Sequence, residues 1–142
     1  MIELLIPSFI FIWIIGFMLH EYGHLLGAYL SGGSGYIKMW RHNYIPSMMT
    51  VPTGHINNTL FRIMGGITTA GIFGFLGLVS SSIYLSYPLM CVGSINFIYA
   101  FYETLLIDKL PLDKYMKWHY VLYLIVGIVV TGLFYAFGKF TG

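Results

Sequence analysis

Charge is what this chain has least of. Only seven Lys or Arg and five Asp or Glu occur among 142 residues, 8% in all, against about a quarter in soluble domains. That scarcity excludes an ordinary water-soluble fold, and a net charge of +2 leaves no footprint for nucleic acid. Cysteine is nearly absent too. The lone Cys91 rules out an internal disulfide and any cysteine-based zinc site, and reads as a small core residue. No basic stretch opens the chain, which carries Glu3 instead, and the first apolar run is too long for a cleavable signal. There is no internal repeat, no low-complexity tract and no separate soluble domain. Any regulation or substrate sorting is therefore expected from a partner protein. No Gly-x-Ser-x-Gly element supports a serine hydrolase.

What the chain does have is apolar length: hydrophobic residues make up 58% of it. Four segments stand out, at Leu4 to Leu30, about Ile63 to Tyr84, about Leu89 to Ile107 and about Tyr120 to Phe137. Each is long enough to cross a hydrocarbon core of about 30 Å at about 1.5 Å per residue. The expectation is an all-α polytopic membrane protein of about four transmembrane helices. It forms one domain over residues 1–142, with a three-helix core over about 4–107 and an additional C-terminal helix over about 120–137. Pro7 falls in the opening turns of the first helix, where proline is tolerated.

Orientation follows from the basic residues. Lys38, Arg41 and Arg62 flank or occupy the first connection, and Lys109, Lys114 and Lys117 the third; Ser80 to Pro88 between them is uncharged. The first and third loops are thus expected in the cytoplasm, with both termini opposite, although Lys139 dissents. A cell-membrane protein with its site toward the cytoplasm follows, and the Asn57-Asn58-Thr59 sequon then has no glycosylation meaning. In the first loop, Ser31 to Gly35 ends the helix. Tyr36 to Trp40 and Ser47 to Val51 are strand-like around a turn at Arg41 to Pro46, so a small β-hairpin is expected there. The second segment carries Gly65, Gly66, Gly71, Gly74 and Gly77, which suit close helix packing or a bending gate.

One motif organises the rest. His20-Glu21-Tyr22-Gly23-His24 fits H-E-x-x-H. Residues four apart share one helical face, so both imidazoles can reach one metal ion, and Glu21 can take a proton from a water that the ion activates. The motif lies within a run of about 27 mostly apolar residues suited to a membrane span. Two histidines are one ligand short of the usual three in a catalytic zinc site. On the third helix, Asn96, Tyr99 and Glu103 form a polar stripe at i, i+3 and i+7. An ionisable group in such a span costs about 2.5 to 3.5 kcal/mol and normally faces a partner or cavity. By the topology above, Glu103 stands at a depth close to that of His20 and His24. Asp113 and Asp108, each followed by a lysine, remain alternative third ligands or parts of a solvated connection. Glu3 sits at the wrong end of the first helix, His42 and His55 in the first loop and His119 at the start of the fourth segment.

With these residues in view, the chain resembles the site-2 protease family of intramembrane zinc metalloproteases. His20-Glu21-Tyr22-Gly23-His24-Leu25-Leu26-Gly27-Ala28 is close to that family's HE-x-GH-x-x-x-A helix. Phe61 to Ile67 resembles the opening of its next core helix, with the usual proline replaced. Asn96 to Glu103 resembles its Asn-containing helix with the acidic zinc ligand. The family's Asp-Gly pair is missing: Glu103 is followed by Thr104 and Asp113 by Lys114. The resemblance implies Zn²⁺ bound by His20, His24 and an acid, and hydrolysis of a membrane-embedded protein segment near the cytoplasmic face with Glu21 as the base. It implies that the hairpin pairs with an extended substrate strand; Asn96 is in addition a candidate to hydrogen-bond the developing oxyanion or to hold the substrate backbone. The alternatives are a non-catalytic metal-binding membrane protein or inactive scaffold, and a zinc hydrolase of lipid or another non-peptide bond. A histidine-rich di-iron oxygenase fits poorly, because three of the five histidines lie in loops or at a helix end.

Overall fold

The structure, a computed structural model, describes residues 2–42, 45–106, 121, 125, 127–129, 132, 133 and 136. Helix α1 runs over Ile2–Leu30, strands β1 and β2 over Ser34–His42 and Ile45–Thr53, helix α2 over Asn58–Val79 and helix α3 over Ile83–Leu106. All three helices are long and apolar enough to cross a membrane. Of the expected fourth segment, Val121, Ile125, residues 127–129, Gly132, Leu133 and Ala136 are helical. The remainder of 120–137 lies outside the described residues, so the described chain carries three candidate spans and not four.

Local chemistry sets the ends. After Leu30 the chain turns through Gly32 at φ 84°. There the amide of Gly33 bonds the Ala28 carbonyl and that of Gly32 the Tyr29 carbonyl, a paired cap that needs a left-handed residue. The strands are longer than the sequence suggests. β1 and β2 pair antiparallel from Ser34↔Thr53 to His42↔Ile45, taking in four of the six residues expected in the turn; residues 43–44 lie outside the described residues. Helix α2 starts about five residues earlier than expected. Asn57 caps it, its side chain accepting from the Leu60 amide at 3.1 Å. It also ends earlier, at Val79, where Ser80 to Ser82 exchange local side-chain bonds that compete with the helix. Helix α3 begins before Pro88 rather than after it, and Ser86 Oγ ties that first turn to the Gly77 carbonyl of α2 at 2.7 Å.

The hairpin packs on α1, and α2 packs on both α1 and α3. The apolar core is small, formed by Ile12, Phe73, Leu89 and Val92 with Phe9, Ile15 and Leu19 against it. Much larger apolar faces stay exposed, including Phe11, Trp13 and Ile14 on α1 and Phe75 and Leu78 on α2. Contiguous faces of this size suit a lipid surround rather than water. Glycines bring the helices together. A Cβ at Gly16 would stand 2.9 Å from Val92, one at Gly23 2.5 Å from the Met64 carbonyl, and one at Gly27 2.9 Å from the Leu60 carbonyl. These three share the face of α1 that carries His20 and His24. On α2, Gly65, Gly66 and Gly77 are likewise close-packed, whereas Gly71 and Gly74 meet nothing within 4 Å. Packing thus accounts for three of the five glycines of α2.

Candidate metal centre

His20 and His24 project from one face of α1 toward α3, as their four-residue spacing requires. Their rings stand nearly perpendicular with centroids 4.7 Å apart. Glu103, in the last turns of α3, brings its Oε2 to 3.3 Å from His20 Nε2 and 3.4 Å from His24 Nε2. All three ligand atoms lie within 4.8 Å of one another and the three residues are buried. Asp108 and Asp113, the other candidates for a third ligand, lie outside the described residues. So does His119. Among the described residues His55 is exposed in the chain leading to α2.

The outer nitrogens explain why the inner ones converge. His20 Nδ1 donates to Asn96 Oδ1 at 3.0 Å, while Asn96 Nδ2 donates to the Val92 carbonyl at 2.8 Å. His24 Nδ1 donates to the Phe61 carbonyl at 2.8 Å. With Nδ1 of each ring donating outward to these acceptors, both Nε2 atoms face the Glu103 carboxylate, where either a ring proton or a shared cation satisfies them. A metal ion set between these three atoms would satisfy all of them at once. The two histidine–carboxylate separations, 3.3 and 3.4 Å, also have the right size. Zinc bonds of about 2.0 to 2.1 Å in tetrahedral geometry separate neighbouring ligand atoms by about 3.3 to 3.4 Å. The residues present therefore fit a metal ion of the kind that takes two imidazoles and one carboxylate.

Close packing holds this geometry. The Phe61 ring stacks on His24 at 5.0 Å, and a Cβ at Gly65 would come within 2.5 to 2.9 Å of the His24 ring. Tyr99 tilts against His20 from α3, with ring centroids 5.5 Å apart. Asn96 was expected to face substrate or an oxyanion. It is 1% exposed and both its polar atoms are engaged within the protein, so here it orients His20 from behind.

Glu21 is buried with the histidines but points to the hairpin. Its Oε2 accepts from the Thr50 amide at 2.7 Å and the Thr50 hydroxyl at 2.9 Å. That hydroxyl also lies 2.7 Å from the Glu21 carbonyl. Thr50 was missed as a site residue, as were Gly23 and Gly27. A small-x-x-x-small spacing on α1 could have revealed the glycines. No known family, curated protein or solved structure matches the chain.

Proposed function

We propose that the chain is an intramembrane zinc metalloprotease, a diverged relative of the site-2 protease type, cleaving membrane-embedded protein segments toward the cytoplasmic face. The observation that carries this reading is the meeting of His20, His24 and Glu103 inside a bundle of apolar helices, with Glu21 as the next residue after a ligand. Zinc held there would act as a Lewis acid, lowering the pKa of a water toward about 7 and polarising the scissile carbonyl. Glu21 would be the group to accept a proton from a water activated there and to pass it to the departing amine. Asn96 and the Phe61 carbonyl keep the two rings in the ligating tautomer.

The hairpin supplies an edge for an extended substrate. Pro46 and Pro52 on β2 have no amide to donate, and Thr50, in the same phase, gives its amide to Glu21. Their opposite positions on β1, Gly35 and Ile37 among them, direct their amides away from β2. A segment paired on that outer edge lies two strand spacings, about 10 Å, from β2. It would hold the flank of a substrate rather than its scissile bond.

One observation favours the non-catalytic reading. Glu21 is 8% exposed and its carboxylate is bonded to Thr50, as a purely structural acid would be. Glu21→Gln separates the two readings. The protease reading expects stoichiometric zinc with cleavage abolished; cleavage at the wild-type rate in that variant would falsify the mechanism.

A further inference from the structure

We propose that Thr50 is a positioning residue, through which strand β2 fixes the carboxylate of Glu21, the residue that follows His20. The inference rests on the reading of Glu21 as the base. Three short contacts join these two residues, which lie 29 positions apart in the chain. The amide donates to Oε2 at 2.7 Å, and the hydroxyl has one proton to share between Oε2 and the Glu21 carbonyl. Thr50 is 6% exposed and Glu21 8%. A buried carboxylate left without donors would be costly, so these bonds determine where it can rest.

Strand phase makes the arrangement a built one. In an antiparallel pair alternate residues direct their amides outward. Pro46 and Pro52 can stand only at outward positions, because neither has an amide to give β1. Thr50 shares their phase, so its amide is outside the ladder and available to α1. A shift of one residue in register would turn that amide toward β1 and leave Glu21 without it. The hairpin packs on α1 and on no other described element, whereas Glu103 stands on α3. Movement of β2 therefore displaces the base without displacing the acidic ligand. Hairpin position and base position become one variable, which gives whatever occupies the hairpin a route to the chemistry.

The test uses the full chain, zinc-loaded in lipid vesicles, with a single-span reporter protein as substrate. Thr50→Val removes the hydroxyl at nearly constant shape and keeps the amide. It is expected to lower kcat about tenfold, the equivalent of one bond to a charged group, with KM and zinc content unchanged. Thr50→Ser restores the hydroxyl and should recover most of kcat. Hydrogen exchange at the Thr50 amide, followed by NMR in selectively labelled protein, should be slow in wild type and fast in Glu21→Ala. Wild-type kcat in Thr50→Val, an equal loss in Thr50→Ser, or identical exchange in wild type and Glu21→Ala each overturns the proposal. If Glu21→Gln is inactive while Thr50→Val is not, only the positioning role fails. If Glu21→Gln is as active as wild type, or wild type cleaves no reporter, the protease reading fails and the positioning role with it.

Discussion

An imidazole has two nitrogens, and only the one whose neighbour is protonated can ligate a metal in the neutral ring. At His20 that choice is made by the Asn96 side chain, and at His24 by the Phe61 carbonyl. Replacing Asn96 by Leu removes the acceptor without opening the helix contact. We expect zinc affinity to fall about 10- to 100-fold, the usual effect of losing an outer partner, measured by competition with a chromogenic chelator. Glu103→Ala should lower affinity further while helix content by circular dichroism stays constant. Unchanged metal content in that variant would move the third ligand to Asp113 or Asp108. Gly65→Ala places a methyl within 2.5 to 2.9 Å of the His24 ring, so metal binding should drop although no ligand has been touched.

Among the elements, α1 does the most, carrying both histidines, Glu21 and the face that α2 and the hairpin use. Gly23 and Gly27 set its distance from α2. A leucine at either position must displace α2 backbone, and overpacking of this kind costs about 1 to 3 kcal/mol. Such variants should unfold at lower denaturant in a reversible detergent titration and lose zinc in parallel, because Phe61 and Gly65 move with α2. Apolar runs marked these helices well in the sequence, but their ends less so. Asn57 was legible only as part of a sequon until the structure showed it capping α2. Pro88 read as a boundary, yet α3 gains enough from packing on α2 to start five residues before it. The hairpin was legible in its strand-forming residues. Its full pairing length was not, since Arg41, His42, Ile45 and Pro46 pair although their composition reads as a turn.

For the whole molecule, a metal ion held by these three residues would join α1 to α3 across 83 positions of chain. A ligand that binds only the folded state adds about 2.7 kcal/mol when its free concentration is a hundredfold above its Kd. Chelation should therefore lower the thermal midpoint, and addition of zinc should restore it in wild type but not in Glu103→Ala; equal midpoints with and without chelator would refute a bridging metal. Sidedness can be tested apart from chemistry. The hairpin and the Ser80–Ser82 connection lie at opposite ends of α2. An impermeant maleimide should label Lys38→Cys in inverted vesicles and Ser81→Cys in right-side-out ones, with buried Cys91 silent. The reverse pattern would place the site on the outer face.

The sequence by itself determined what depends on neighbours along the chain. A four-residue spacing puts His20 and His24 on one side of α1 whatever surrounds them, and apolar length makes the three helices candidate spans. It also carried the polar stripe of Asn96, Tyr99 and Glu103, because a helical period is local. Tertiary structure alone decided which acid meets the histidines, that Asn96 serves His20, and that Thr50 holds Glu21. Those pairings join residues separated by 83, 76 and 29 positions. Their distances are set by how closely glycine faces let whole helices approach and by strand register. Neither quantity is written in the local pattern of any one segment.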